Sequence, residues 1–445
     1  MAMGPAKDTA RTFQHEIVCL DDLVPGEDLY RRLDALVDWS FIRAAAAPYY
    51  APEGRPSVDP IVLVKLMLIG ALEGIGSMRE VLRVAALRLD LRRFVGYGLG
   101  ERLPVHATVS VNQTRRFIDG ALFERLFGRS VALCREHDLL DGTHLSIDGF
   151  HVEANAALSS LRASLGPAPE PDRDEHPAPV AKGSPGSASP APQLVLAPPR
   201  RGPTPRRTSS NATAVSQTDP DARLRHKPGQ RAHLQHRGQV AVDPRRRCIV
   251  ACLGEAASGY EGDAIAPLLD RARFVVPDLR SIGADKGFAA ERVYADLQQR
   301  QITSFIPPQP RMLPAGEPTT ESQRLSLAAR ARTRSAEGIW AHARRMADAE
   351  GVISEVKTQG TLARARCRGT PLFHIQVLVD CAAVNCKRLT RQARVGAGIA
   401  AAAAAAAADL RPQGPPGDSP AAAEAGNGHP LASRSTIWSF SVCLN

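Results

Sequence analysis

The chain has 445 residues, of which 44% are hydrophobic and 23% charged, an ordinary globular composition with room for two or three domains. Its formal net charge of +10 favours an anionic partner such as nucleic acid but does not by itself identify one. The most apolar run, residues 61–72, is too short to cross a bilayer, so we expect a cytoplasmic protein with no membrane partner.

The first 140 residues predict a helical domain. Helical spacing of apolar residues covers the stretches 29–40, 61–72, 89–95 and 113–136. Ser77 followed by Glu80 predicts a capping box at the start of a further helix over 77–87. Helices alone do not identify a DNA-binding domain, so this part of the sequence predicts architecture rather than function.

The spacing of apolar residues changes at Thr143 from a helical to a strand-like pattern. Residues 143–149 predict a strand ending in Asp148 and Gly149, and residues 165–208, rich in Pro, Ala, Ser and Gly, predict a disordered insertion. Beyond the insertion, residues 239–242 and 248–253 predict a hairpin that turns at Asp243-Pro244. There follow a helix, a strand, a helix, a strand and two long helices, at 262–273, 279–284, 289–299, 302–306, 335–357 and 371–389.

This order of elements predicts an α+β protein. Strands first and then alternating helices and strands are typical of an RNase H-like α/β domain, in which helices cover a mixed sheet. We therefore expect a helical N-terminal domain at residues 1–140 and an RNase H-like domain at 141–390. A run of nine alanines at 400–408 in a Pro/Gly/Ala-rich stretch predicts a low-complexity tail over 391–445.

Asp148 and Asp285 both lie at the ends of predicted strands. If those strands are neighbours, both carboxylates emerge at one edge of the sheet, and a third carboxylate on a packing helix completes a set of oxygen ligands. Such ligands suit magnesium ions, which in phosphodiester cleavage activate water and stabilise the leaving oxygen. Taken alone, each aspartate is as well explained by a turn or a helix cap.

Two residues compete to be the third carboxylate. Glu350 and Glu355 are five apart, so about 140° separates them on a helix and only one faces the site. Lys357 follows Glu350 by seven residues, two turns along the same face, which would place a cation beside a metal-bound DNA phosphate. We prefer Glu350 for this reason and leave Glu355 open.

Basic residues cluster in two stretches. There are twelve Lys or Arg against three acidic residues between Arg200 and Arg247, and seven against one between Thr361 and Arg394. In the second stretch, Arg364, Arg366 and Arg368 alternate with other residues directly after the glutamate helix. Clusters of this kind suit phosphate contacts, although a solvated surface explains the first stretch equally well.

These segments together resemble bacterial insertion-sequence transposases of the DDE class over most of residues 15–390. In the N-terminal part the resemblance is carried by residues 20–25 and 49–60. In the second part it is carried, in order, by residues 147–149 with 153–156, by 218–223, by 283–288, by 349–351 with Lys357, and by 363–369. The family carries an aromatic residue and an arginine upstream of its glutamate. This chain matches that pattern only approximately, with Trp340, Arg344 and Arg345.

The resemblance implies a catalytic RNase H-like domain in which Asp148, Asp285 and Glu350 hold Mg²⁺ or Mn²⁺. It implies double-stranded DNA partners, namely terminal inverted repeats and target, bound by a homo-oligomer in the nucleoid. The implied chemistry is hydrolysis at the element ends, followed by attack of the exposed 3′ hydroxyl on target DNA. Two alternatives remain open: an inactive copy that only binds DNA, and a metal-dependent nuclease of the same fold.

Overall fold

Eight helices form the N-terminal part of the computed structural model, which describes residues 17–51, 53, 57–163, 211, 214–225 and 231–392. The predicted insertion at 165–208 and the predicted tail beyond residue 392 lie outside these described residues. The helices are α1 (Leu20–Leu23), α2 (Leu29–Leu36), α3 (Ser40–Ala46), α4 (Pro60–Leu72), α5 (Met78–Leu87), α6 (Leu89–Val95), α7 (His106–Val111) and α8 (Ala121–Glu136).

Helix α4 is the most deeply buried of these helices. Every residue from Leu63 to Leu72 is buried, as the continuous apolar run predicts. Asp59 caps the first turn, where its carboxylate accepts a backbone N–H. Lys65 is the one charged residue on the helix, and its Nζ lies 2.6 Å from Oδ1 of Asp34 and 2.8 Å from the carbonyl oxygen of Phe94. The ammonium group therefore enters the core only with two oxygen partners.

Two local predictions in this part are wrong. The side chain of Ser77 makes no capping hydrogen bond to α5, and Glu80 pairs with Arg83 instead. The predicted helix over 113–136 is broken, because a π-helical turn at Asn112–Arg116 and then Gly120 precede α8. Gly120 has a φ of 75°, a left-handed conformation that glycine adopts without a steric penalty.

Six strands of the described chain form one mixed sheet. They are β1 (His144–Glu153), β4 (Arg223–Arg225), β5 (His233–Asp243), β6 (Cys248–Ala256), β7 (Ser281–Gly283) and β8 (Thr303–Phe305). Strand β1 pairs antiparallel with β5 on one side and parallel with β7 on the other, and β7 pairs parallel with β8. Strands β4 and β6 both pair with the outer edge of β5. The predicted hairpin is thus β5–β6, and the predicted α+β fold with a mixed sheet is confirmed.

A separate two-stranded ladder stands where the chain leaves β1. Strands β2 (Leu161–Ala163) and β3 (Ala214–Ser216) pair antiparallel, with Leu161 opposite Ser216 and Ala163 opposite Ala214. The two ends of the chain segment between these strands therefore lie side by side.

The helices of the second part cover the sheet. They are α9 (Ile265–Ala272), α10 (Glu291–Gln299), α11 (Glu321–Arg334), α12 (Ala336–Arg345), α13 (Gly351–Thr358) and α14 (Thr370–Gln392), with a π-helical segment, Met346–Glu350, between α12 and α13. Short 3-10 turns occupy residues 47–49, 158–160, 261–264, 286–288 and 310–312. The single helix predicted over 335–357 is therefore interrupted, and α11 was not predicted at all.

Helix α14 connects the two parts of the fold. It packs on β6 of the sheet and on α4 and α8 of the N-terminal helices, so that one hydrophobic core runs through both parts. The described residues all belong to one compact unit that extends to Arg394. The domain division at residue 140 stays a prediction. Within the described ranges, no helix has both the length and the apolar character needed to cross a bilayer.

Candidate active site

Asp148 lies in the middle of the central strand of the sheet, β1, and not at a strand end as predicted, because β1 continues to Glu153. It sits opposite Val240 of β5, and its side chain is only 15% exposed. Its Oδ1 accepts the N–H of Gly149 at 2.8 Å, which leaves Oδ2 for other partners. Burial raises the pKa of Asp148 to about 6; the Arg345 guanidinium opposes this rise, and the negative charges of Asp285 and Glu350 add to it. The carboxylate group of Asp148 is therefore within electrostatic reach of both other predicted ligands.

Asp285 reaches the same end of the sheet through the pairing of β7 with β1. Ser146 of β1 lies opposite Gly283, the last residue of β7. Asp148 lies two residues further along β1, and Asp285 lies two residues beyond the end of β7. One carboxylate oxygen of Asp285 accepts the N–H of Gly287 and caps the short turn that follows β7. The turn fixes the direction of the side chain, and this capping bond uses only one of its two carboxylate oxygens.

Glu350 lies at the end of the π-helical segment, and its side chain is 45% exposed. Its Oε1 is 3.2 Å from Nη1 of Arg345, the same atom that contacts Asp148. Glu355 points elsewhere: its carboxylate forms a hydrogen-bonded ion pair with Arg388 of α14. The geometry therefore favours Glu350 over Glu355 as the third carboxylate.

Arg345 is the residue of this site to which the sequence analysis assigned no role beyond an approximate match to the arginine upstream of the family's glutamate. Its side chain is 9% exposed, and its Nη1 lies 2.6 Å from Oδ2 of Asp148. Its Nη2 donates to Sδ of Met346 at 3.1 Å. One guanidinium group thus neutralises two of the three predicted metal ligands. The only sequence signal was the position of an arginine five residues before Glu350, and on a regular α-helix that spacing separates the two side chains.

The carboxylates fit a divalent cation by their chemistry. Asp148, Asp285 and Glu350 offer only oxygen atoms, the donors that Mg²⁺ and Mn²⁺ prefer, and Arg345 shows that the cluster attracts positive charge. As the side chains stand, no three His, Cys, Asp or Glu residues in the described part of the chain are grouped closely enough to hold an ion. The donor set therefore fits the metal, whereas the conformation is one in which an arginine supplies the countercharge.

The predicted DNA-contacting residues lie on α13 and on the loop after it, residues 359–369, here called the basic loop. Lys357 has its Nζ 5.6 Å from the centre of the Phe150 ring. Arg364 is 62% exposed, and Arg368 is exposed with its Nε 3.4 Å from the carbonyl oxygen of Asn155. Arg366 turns inward, and its Nη2 lies 3.7 Å from Oδ2 of Asp380. Of the three loop arginines, two face solvent and one faces the core.

Buried polar side chains anchor the basic loop at both ends. Asp380 of α14, which is 2% exposed, accepts the backbone N–H of Thr361 at 2.6 Å and its hydroxyl at 2.7 Å. At the other end, Oδ1 of Asp219 accepts the N–H of Gly369 at 3.1 Å. Burial raises the pKa of Asp380, although the nearby Arg366 charge opposes the rise. The loop is thus fixed at both ends by buried carboxylates, as a loop that positions phosphate contacts requires.

Asp148 lies on β1, Asp285 follows the parallel neighbour β7, and Glu350 ends a π-helical segment, on a mixed sheet covered by helices. This is the layout of an RNase H-like α/β domain. Two family models match the chain: "Transposase domain (DUF772)" over residues 18–115 and "Transposase DDE domain" over residues 203–386. Together they cover well over half of the chain, and the second contains Asp285 and Glu350 but begins after Asp148. The chain belongs to the DDE-type insertion-sequence transposases. The comparisons with curated proteins and with solved structures found no match.

Proposed function

We propose that the chain cuts DNA at the ends of its mobile element and joins those ends to target DNA in a metal-dependent reaction. The observation that carries this proposal is the convergence of Asp148 and Glu350 on one buried guanidinium, with Asp285 two residues beyond the adjacent strand β7. Asp148 feels the negative charges of both Asp285 and Glu350, and this mutual repulsion opposes folding, so the arrangement favours a functional role over a structural one.

Asp148, Asp285 and Glu350 would hold Mg²⁺ or Mn²⁺, and the bound ions would supply an activated oxygen nucleophile and charge stabilisation on the leaving oxygen. The residues of the chain position this chemistry. Gly149 and Gly287 fix one oxygen of each aspartate through their backbone N–H groups. The same carboxylates would serve hydrolysis and strand transfer, because both are in-line phosphoryl transfers that differ only in the attacking oxygen.

Double-stranded DNA would lie across the carboxylate cluster and the basic loop. Arg364, Arg368 and Lys357 would contact phosphates, and the helices of residues 1–140 would form a domain distinct from the catalytic one at 141–390. The family's chemistry acts on two element ends and a target together, so we expect a homo-oligomer assembled on DNA at the nucleoid. Phosphate contacts of this kind weaken as the salt concentration rises.

The decisive experiment is a reaction with DNA duplexes that carry the inverted repeats flanking the coding region. In Mg²⁺ the wild-type protein should nick the repeat end and then join it to a second duplex, while Asp285→Ala should do neither. Asp278→Ala is the matched control, because Asp278 lies seven residues earlier and is exposed. Binding without cleavage by the wild type would identify an inactive copy. Hydrolysis that is never followed by joining would identify a nuclease.

A further inference from the structure

The place between the carboxylates is held by a side chain of the protein itself. Nη1 of Arg345 lies 2.6 Å from Oδ2 of Asp148 and 3.2 Å from Oε1 of Glu350. These are two of the three carboxylates that the proposed function assigns to the metal. A metal cation bound by these oxygen atoms would compete with the Arg345 guanidinium. Both would occupy the same position and neutralise the same negative charges.

The π-helical segment makes this contact possible. On an α-helix, residues five apart are separated by about 140°, and their side chains leave different faces. Glu350 and Glu355 obey this rule across α13, since the first contacts Arg345 and the second contacts Arg388. Arg345 and Glu350 are also five apart, but the segment between them is π-helical, with hydrogen bonds that span five residues, so both side chains emerge on one face.

The contact is incomplete as a permanent structural ion pair. Nε of Arg345 is buried and has no hydrogen-bond partner among the described residues. A buried arginine that is optimised for stability would use its full set of donors, because each unpaired buried donor costs free energy. Glu350 is meanwhile 45% exposed, so one member of the cluster is already free to rearrange.

We propose that Arg345 is a positioning residue that acts as a resident countercharge: it holds Asp148 and Glu350 in the resting protein and must withdraw before a divalent cation binds. The inference rests on the proposed function, because it takes these carboxylates as the metal ligands. A return of the segment Met346–Glu350 to regular α-helical geometry separates Arg345 from Glu350 and opens the cluster. Cation binding and the arginine contact are then mutually exclusive, so each weakens the other by the same factor.

The test is Mn²⁺ binding by the full chain without DNA, measured by isothermal titration and by the electron paramagnetic resonance signal of free Mn²⁺. Arg345→Gln should bind Mn²⁺ roughly tenfold more tightly than the wild type, the equivalent of one charge-assisted hydrogen bond that no longer has to be broken. Arg388→Gln is the matched control. Its arginine is also 9% exposed and also pairs with a carboxylate that is 15% exposed, but on the other side of α13. Its Mn²⁺ affinity should equal that of the wild type.

A second measurement needs no variant. Hydrogen exchange of the backbone amides of residues 345–351 in the wild type should change on saturation with Mn²⁺. The segment then loses the contact between Arg345 and Glu350, and its π-helical hydrogen bonds are replaced by α-helical ones. Unchanged exchange, or Arg345→Gln binding Mn²⁺ no more tightly than the wild type, overturns the inference while the wild type still binds Mn²⁺. If neither the wild type nor Arg345→Gln binds Mn²⁺, the proposed function itself fails.

Discussion

Nε2 of His236 lies 2.9 Å from Oδ2 of Asp219, and both side chains are fully buried. The Phe373 ring stacks on His236 at a centroid distance of 4.9 Å, and the other oxygen of Asp219 accepts the N–H of Gly369. One carboxylate thus joins strand β5 to the end of the basic loop. Asp219 lies in a segment that resembles a family signature, and its environment here is that of a structural residue.

Replacement of Asp219 by alanine should therefore lower stability. Asp219→Ala leaves the buried His236 and the half-buried Gly369 N–H without their partner, and we expect a loss of about 3 kcal/mol in the free energy of unfolding. Urea denaturation followed by circular dichroism measures it. Asp278→Ala, an exposed change, should stay within about 0.5 kcal/mol of the wild type. A loss below about 1 kcal/mol for Asp219→Ala would contradict the structural role.

His144 should make stability depend on pH. Burial, reinforced by the charge of Arg344, lowers its pKa to about 4, and its Nδ1 lies 2.9 Å from the Ser281 hydroxyl. The unfolded chain takes up this proton near pH 6.5 and the folded chain only near pH 4, so stability is complete above pH 6.5 and falls as the pH is lowered through this window. This residue alone should cost about 2 kcal/mol between pH 7.5 and pH 5.

His144→Asn removes the titration and keeps a polar atom near Ser281. The difference in unfolding free energy between pH 7.5 and pH 5, measured in urea, should be smaller in this variant than in the wild type by that amount. His342→Asn is the control, because His342 is exposed on α12. An equal pH dependence in His144→Asn and the wild type would show that His144 titrates normally.

The two glutamates of the third-carboxylate pair should separate activity from stability. Glu350→Gln should reduce cleavage of inverted-repeat DNA by roughly two orders of magnitude or more, the scale of losing one charge-stabilising group, with little change in unfolding. Glu355→Gln leaves the Arg388 guanidinium without its charged partner and should cost about 2 kcal/mol of stability. Cleavage by Glu355→Gln, measured below its melting temperature, should persist. If Glu355→Gln instead abolished cleavage and Glu350→Gln lowered stability, Glu355 would be the third carboxylate.

The arginines of the basic loop should also divide into two kinds. Arg364→Gln and Arg368→Gln should each reduce the slope of log binding constant against log salt concentration by about 0.9, the value for one lost phosphate contact. Arg366→Gln should instead lower the melting temperature, because it leaves the Asp380 carboxylate without its nearest cation. Fluorescence anisotropy with labelled duplex DNA at several salt concentrations, together with thermal unfolding, distinguishes them. Equal slopes for all three variants would mean that Arg366 turns outward on DNA.

Much of the sheet could be predicted because its periodicity is local. The alternation around Asp148 and the Asp-Pro turn at Asp243 specify β1 and the β5–β6 hairpin from neighbouring residues alone. The adjacency of the strands before Asp148 and Asp285 was expected correctly, but Asp148 lies within β1 and Asp285 two residues beyond β7, so neither is at a strand end. Helix α11 escaped prediction because its sequence is mostly charged and polar, with only Ser326 and Ala329 buried.

The rest of the site could not be read from spacing. A π-helical turn shifts the helical register by one residue, and the sequence of Met346–Glu350 contains no pattern that predicts such a turn. The contact between Arg345 and Glu350 therefore could not be predicted. The inward direction of Arg366 depends on Asp380, a residue 14 positions away on another element. Such choices are made by tertiary partners, which a local pattern does not contain.

The paired strands β2 and β3 have a consequence for how this protein tolerates change. Because Leu161 pairs with Ser216 and Ala163 with Ala214, the chain segment between β2 and β3 begins and ends at the same two-stranded ladder. Its length is therefore uncoupled from the spacing of β1 and β5, and material can be added or removed there without altering the distance between the acidic residues. The pairing of β2 with β3 therefore makes this segment a suitable position for inserting a reporter protein.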